Sequence, residues 1–314
     1  MDRKKLSFVI PCYNSAATID DVVSEVIGKT QERADEYDYE IICVNDCSPD
    51  NVMDHLRSLA ADNTKIKVLS FAANKGKHTA VLAGYGAASG DYVISMDDDG
   101  QCPVNELWRL LRPLEDGHDM AMAQYEKKKE GPVKRAGSRF NHAMTRRLLR
   151  KPDDLVFTNF NARQLFVCRA MASYCNIFPY LEGLSLQVTR DVVLVPMKER
   201  SRAAGQSNFT MRKSLQLLSN GLTAFSAEPL RLGLYAGLGL EAAAGIAAAA
   251  AFLKGIGRKH TAGGSNGEEG MLAAAAALCG ALMIQTGITG EYVGRTYMAV
   301  NRYPQYVIRE KINL

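Results

Sequence analysis

The stretch Ser95-Met96-Asp97-Asp98-Asp99-Gly100-Gln101 sets three consecutive carboxylates directly after an apolar run, Tyr92-Val93-Ile94. Neighbouring carboxylates repel one another unless a cation shares them. Mg²⁺ and Mn²⁺ take one or two carboxylates together with substrate phosphate oxygens, so a strand ending in Asp-x-Asp reads as a site for a divalent cation and a diphosphate, with Asp97 and Asp99 as the metal ligands. The same stretch also reads as a solvated acidic turn capping a helix near Val104. The elements that deliver it decide between the two.

Those elements alternate in period. Apolar runs at Leu6 to Ile10, Ile41 to Val44, Ile66 to Phe71 and Tyr92 to Met96 have strand length and composition, and amphipathic stretches near Ile19 to Ile27, Val52 to Leu59 and Thr79 to Ala88 separate them. This pattern predicts an α/β fold, a mostly parallel sheet covered by helices, whose ligands bind beyond the carboxyl ends of the strands. The loops after the four runs are polar: Pro11-Cys12-Tyr13-Asn14, Asn45-Asp46-Cys47-Ser48, Asn74-Lys75-Gly76-Lys77 and the acid turn. Tyr13 and Asn14 suit the flanks of a base, Asp46 suits a base or ribose donor, and Gly76 with Lys77 suits a phosphate. Read singly, Asp46 is a turn residue, Asn14 a helix cap and Lys77 a surface charge. Their common placement favours a site. No Gly-x-Gly-x-x-Gly follows the first run and no Gly-x-x-x-x-Gly-Lys-Ser/Thr phosphate loop occurs, which argues against a Rossmann dehydrogenase and a P-loop nucleotidase.

The 314 residues carry a net charge of +4, too small an excess to choose an anionic partner by itself. Seven scattered cysteines without Cys-x-x-Cys spacing argue against a disulfide framework and a zinc site, and for a reducing cytosolic compartment. The N-terminus runs into the first strand before a signal-peptide apolar region develops.

Taken together, Phe8-Val9-Ile10-Pro11-Cys12-Tyr13-Asn14, Asn45-Asp46-Cys47-Ser48, Asn74-x-Gly76 and Met96-Asp97-x-Asp99-x-Gln101 resemble the nucleotide-sugar half of family-2 glycosyltransferases of GT-A fold. Arg202-x-x-Gly205-x-Ser207 and Gly290-Glu291-Tyr292-x-Gly294-Arg295 resemble the membrane-anchored branch that loads a sugar onto a polyprenyl phosphate, such as bactoprenol glucosyltransferases and dolichyl-phosphate mannose synthases. The resemblance implies Pro11, Tyr13 and Asp46 around a uridine, with Asn14, Asn74, Lys77 and Asp98 completing the donor site. It further implies Asp97 and Asp99 at the cation and diphosphate, Gln101 near the sugar, and Arg202 with Ser207 near the phosphates. The catalytic set is then Asp97, Asp99, Gln101 and Arg202, with Mg²⁺ or Mn²⁺ as cofactor.

One departure concerns the acceptor. Relatives often carry Phe-Arg-Leu with a nearby Asp where this chain has Thr158-Asn159-Phe160-Asn161-Ala162-Arg163, which leaves the base unassigned, with Glu182 as an alternative. A phosphate monoester with a second pKa of about 6 is largely dianionic near neutrality and needs little deprotonation. Arg163, Arg200, Arg202, Ser207, Arg212 and Lys213 are the candidates for its cradle.

The second departure is C-terminal. Segments 232–253 and 271–290 have spanning length, yet their apolar residues are largely alanine and Glu241 interrupts the first. Gly233, Gly237, Glu241 and Gly245 recur every four residues, a small-residue face for helix approach, with Gln285 or Thr286 as partners for Glu241. A soluble Ala-rich hairpin is the alternative. A basic region, Lys127 to Lys151, suits anionic headgroups or a solvated helix face, and no nucleic-acid motif accompanies it.

The resulting expectation is a GT-A domain over residues 1–223 and, over 224–314, a linker, a two-helix membrane hairpin and a basic tail. The chain would be a multi-pass protein of the cytoplasmic membrane with the catalytic domain and both termini cytoplasmic, in contact with membrane lipids and compatible with a homo-oligomer. Its activity would be inverting transfer of a hexose from a UDP-sugar to undecaprenyl phosphate. Extension of a polysaccharide or another glycan, and an inactive sugar-nucleotide-binding scaffold, are the alternatives.

Overall fold

A computed structural model describes residues 3–125, 155–177, 179–198, 200, 230–231, 233–240, 242–243, 246 and 266–314. Its first half follows the alternating pattern: β1 (Lys4–Cys12), α1 (Ile19–Gln31), β2 (Tyr37–Asn45), α2 (Val52–Asp62), β3 (Ile66–Phe71), α3 (Lys77–Ala87) and β4 (Tyr92–Ser95). A 3-10 turn at Val104–Glu106 leads into α4 (Leu107–Glu115) and β5 (Met120–Tyr125). Then come β6 (Asn161–Gln164), α5 (Leu165–Ala172), α6 (Leu181–Val188), β7 (Val192–Met197), α7 (Asn266–Val300) and β8 (Ile308–Ile312).

The described sheet has eight strands in the order β7-β5-β6-β4-β1-β2-β3-β8. β1 pairs parallel with β2 and β4, β2 with β3, and β5 with β7, while β6 and β8 run antiparallel to their neighbours. One face carries Leu6, Phe8, Ile10, Ile41, Cys43, Tyr92 and Ile94 against α1, α2 and α4. Those helices bury Ile19, Val22, Val23 and Val26, then Val52, Leu56 and Ala60, then Leu107, Leu110, Leu111 and Leu114, the three-and-four spacing of a helical stripe. On the other face α3 lies so close to β1 that a Cβ on Gly84 would sit 2.3 Å from Val9 Cγ1.

At the end of the sheet opposite the acid turn, Glu40 of β2 is a buried carboxylate with a complete set of donors. Lys5 Nζ lies 2.7 Å and Lys67 Nζ 2.9 Å from its Oε2, while Ser7 Oγ donates to Oε1 at 2.5 Å and the Ser89 N–H at 2.7 Å. Burial alone would raise the pKa, but the bonds from Lys5, Ser7, Lys67 and Ser89 outweigh it and hold Glu40 at about 2.

The chain forms two compact units, Met1–Asn220 with Arg302–Leu314, and Gly221–Asn301. The tail thus belongs to the first unit: β8 pairs with β3, Arg57 bonds both carboxylate oxygens of Glu310, Tyr306 stacks on Phe71, and Asn313 Nδ2 donates to Ala60 O and Ile66 O. In the second unit α7 spans thirty-five residues, ~52 Å at 1.5 Å each. Length is not what it lacks. No described helix is long and apolar enough to cross a membrane, which contradicts the expected multi-pass placement with both termini cytoplasmic and leaves the expected hairpin without a described spanning helix. The physical reason is composition, since alanine and glycine contribute far less to bilayer insertion than leucine, isoleucine or phenylalanine. The expected second span, 271–290, lies inside α7; of the first, 232, 241, 244–245 and 247–253 lie outside the described residues, as do Glu241 and the basic region 127–151. The small-residue approach is present at Gly233, where a Cβ would meet Gln285 Oε1 at 1.7 Å.

Glu40→Gln is expected to lower stability by about 3 kcal/mol at neutral pH, as two lysines, the Ser7 and Ser89 hydroxyls and the Ser89 N–H lose a charged acceptor. With the folded pKa near 2 and the unpaired value 4.5, this contribution is whole above pH 4.5 and is lost as pH falls towards 2, so wild-type and variant melting curves should converge in acid.

Candidate functional site

Four strand ends meet at one rim. β1 ends at Cys12, and the chain turns outward with Asn14 at φ 56°. Tyr13 is 42% exposed, its ring at the surface, while its N–H donates to Asp98 Oδ2 at 3.0 Å. The Asn14 N–H donates to Ser48 Oγ at 2.8 Å, and the Ala16 N–H to Asp50 Oδ2 at 2.9 Å, so the loops after β1 and β2 are fastened together. Pro11 is not in the loop at all. It is buried within β1 opposite Val44, because the parallel ladder runs on to Cys12 and Asn45.

Asp46 departs from the expected base contact. It is only 3% exposed, and its oxygens accept the N–H groups of Lys75 at 2.6 Å and Gly76 at 2.8 Å. Asn74 Nδ2 closes the same turn on Asp46 O at 3.0 Å. Burial raises the Asp46 pKa, and the two amides pull it back in part. Its work is to shape the loop in which Gly76, at φ 85°, opens α3 and sends Lys77 across the rim.

The three carboxylates of the acid turn have separate partners. Asp97 Oδ1 meets the Lys77 ammonium, and its Oδ2 accepts Asn159 Nδ2 at 2.7 Å. Asp98 accepts the Tyr13 N–H, and its own carbonyl accepts Thr18 Oγ1 at 2.6 Å. Burial pushes the Asp98 pKa up to about 6 against the opposing pull of that N–H. Asp99 Oδ1 accepts the N–H of Gln101 at 3.1 Å. Gln101 faces the segment after β7: its carbonyl accepts the Arg200 N–H at 3.2 Å, and its Nε2 donates to Arg200 O at 3.4 Å.

The expected phosphate cradle is not assembled from Arg163 and Arg200. Arg163 is 2% exposed, with its guanidinium among Tyr85, Asn161 and Ser185 in the interior. Arg200 spends its guanidinium on Glu25 of α1, at 2.7 Å, and on Asn105. Arg202, Ser207, Arg212 and Lys213 lie outside the described residues. Asn159 is the site residue that residue type alone did not mark; its signal was the place where the chain departs from the relatives' Phe-Arg-Leu pattern.

Among the described residues no three His, Cys, Asp or Glu side chains converge as a metal cage. Asp97 and Asp99 fit a different kind of cation site, one supplying one or two carboxylates and completing its shell with substrate phosphate and water. Lys77 shows that Asp97 already attracts positive charge at this point.

The carboxyl edge of this mostly parallel sheet thus offers paired carboxylates, an ammonium and an exposed aromatic ring. The family model described as glycosyl transferase family 2 matches residues 7–174, more than half of the chain, and the protein belongs to that family. A putative glycosyltransferase of Bacillus subtilis is 29% identical over 313 residues, covering 99% of this chain and 93% of its own. A prophage bactoprenol glucosyl transferase homolog of Escherichia coli is 28% identical, covering 97% and 98%. An undecaprenyl-phosphate 4-deoxy-4-formamido-L-arabinose transferase of Edwardsiella ictaluri is 27% identical, covering 98% and 94%. The fold resembles that of glucosyl-3-phosphoglycerate synthase from Mycobacterium tuberculosis, solved with Mn²⁺, UDP and phosphoglyceric acid, at a TM-score of 0.52 and 17% identity over 70% of this chain and 76% of that one.

Since folding disfavours ionised Asp98, stability falls as pH rises from 3.8 through about 6. Asp98→Asn keeps an acceptor for the Tyr13 N–H, so in metal-free protein it is expected to raise Tm above about pH 7 and to change it little near about pH 4. A difference independent of pH would count against burial as the cause.

Proposed function

We propose that this protein transfers a hexose from a UDP-sugar to a polyprenyl phosphate, with inversion at the anomeric carbon and a divalent cation held by Asp97 and Asp99. The observation that carries the reading is the joined rim, where the acid turn of β4 is fastened to the aromatic loop of β1 and to Lys77 of α3. Full-length similarity to proteins named for bactoprenol and undecaprenyl phosphate supports the acceptor. A similarly folded enzyme solved with Mn²⁺ and UDP supports the donor and the cofactor.

In this reading Tyr13 packs on the base, Asp46 holds the 74–76 loop to the diphosphate side, and Lys77 swings from Asp97 to the diphosphate. A phosphate oxygen of the acceptor attacks the anomeric carbon from the face opposite the leaving group. The new carbon–oxygen bond forms as the bond to the nucleoside diphosphate breaks, and UDP leaves with the electron pair. The cation, when bound, supplies charge stabilisation to the departing diphosphate. Lys77 adds a second positive charge at the same place, and Gln101 orients the sugar. The acceptor phosphate is already largely dianionic near neutral pH, with a pKa of about 6, so it needs binding more than deprotonation. This suits a rim with Asn159, not a carboxylate, beside Asp97. With Arg163 and Arg200 engaged elsewhere, the cradle falls to Arg202, Ser207, Arg212 and Lys213.

Incubation with undecaprenyl phosphate, Mn²⁺ and a panel of labelled UDP-hexoses should carry label into the organic phase. Asp99→Ala should reduce that transfer by about 100-fold or more, and Lys77→Ala by about 10-fold or more, with the fold intact. Label reaching only a soluble glycan acceptor, or full transfer by Asp99→Ala, would overturn the acceptor or the cation site respectively.

A further inference from the structure

β6 meets β4 antiparallel, with Val93 opposite Arg163 and Ser95 opposite Asn161. Beyond the end of this ladder, the turn before β6 brings Asn159 to the acid turn, where Asn159 Nδ2 donates to Asp97 Oδ2 at 2.7 Å. Residues two apart on a strand share a face, so Arg163 and Asn161 lie on one face of β6. With Asn159 linked to Asn161 through that turn, they form a column from the interior to the rim.

The buried end of that column is unusual. Arg163 is 2% exposed, and among the described residues it pairs with no carboxylate. Its Nη1 donates to the Tyr85 hydroxyl at 2.5 Å and to Asn161 Oδ1, its Nη2 donates to Ser185 Oγ at 3.3 Å, and among the described residues its Nε has no partner. Its guanidinium carbon lies 5.4 Å from the centre of the Tyr85 ring. A cation buried among neutral acceptors with one N–H unmet is costly, and an apolar side chain of similar volume would serve stability better. What the guanidinium does supply is a rigid fork linking α3 through Tyr85, α6 through Ser185 and β6 through Asn161.

The constraint passes outward through Asn161. Asn161 Nδ2 donates to Thr158 O at 2.8 Å and to Asn159 O at 3.2 Å, which pins the turn that carries Asn159. The turn that meets Asp97 is thus held from below by one buried side chain.

We propose that Arg163 is a positioning residue for the Asp97 carboxylate, acting through Asn161 and Asn159. The relevance to catalysis rests on Asp97 and Asp99 as the cation ligands. Arg163→Lys keeps a charge but replaces the fork with a single nitrogen, and Asn159→Ala removes the last link at the rim without touching the core. In Arg163→Lys, amide hydrogen exchange over 157–161 should rise in metal-free protein. In both variants Mn²⁺ binding in the presence of UDP, read from the electron paramagnetic resonance of free Mn²⁺, should weaken about 10-fold. The double variant should bind Mn²⁺ no more weakly than the worse single one. Unchanged exchange with unchanged Mn²⁺ affinity in Arg163→Lys would overturn the proposal, as would fully additive losses in the double variant. Should Arg163→Lys fail to fold, Asn161→Ala tests the same link with the same two measurements. Wild-type protein that binds no Mn²⁺ with UDP would reject the cation site instead, and the exchange measurement would still decide the positioning claim.

Discussion

Three carboxylates in a row must be kept apart, and the arrangement of the rim follows from how this is done. Asp97 lies between an ammonium and an amide, Asp98 turns under the β1 loop to the Tyr13 N–H, and Asp99 folds back on Gln101. Each partner comes from a different segment. The repulsion within one turn thereby ties β1, α3, β4 and the start of β6 into one surface. A site that concentrates negative charge before its ligand arrives is prepared for a cation and, through it, for a diphosphate.

The scaffold that permits this is a parallel sheet whose ends coincide. β1, β2, β3 and β4 are buried on both faces, so they read as near-continuous apolar runs, and their order along the chain is visible from period alone. The close approach of α3 to β1 through Gly84 seats that helix on the sheet, and Lys77 at its start reaches Asp97 of the acid turn. Glu40 and its lysines close the opposite end of the sheet, away from the chemistry. The C-terminal strand β8 adds an antiparallel edge to β3, so the described chain leaves the first unit and returns to it.

Much of this was legible from residue types. The four strand runs, the polar loops after them, and the Asp-x-Asp turn were all marked by local pattern. The departures share a cause. The loop expected after the first apolar run begins later, because the ladder to β2 continues through Pro11 to Cys12. Asp46, Arg163 and Arg200 have a charge or a strand-end place that suits a ligand, whereas the fold turns each of them toward protein partners. The expected basic tail contains Ile308-Arg309-Glu310-Lys311-Ile312, whose alternation has the period of a strand. Alanine already weakens the expected spans in the sequence, and no described helix is long and apolar enough to cross a membrane.

Local order along the chain determined which chemistry is present: an α/β sheet, a carboxylate pair suited to a cation and a diphosphate, and membership of a glycosyltransferase family. Tertiary structure alone decided which charged groups face ligand and which face protein. It also brought Asn159, sixty-two positions away, onto Asp97, and set a buried guanidinium beneath both. The reason is physical. Residue type and spacing report backbone period and the chemical menu, but the direction of a charged side chain depends on partners that only the folded register brings within reach.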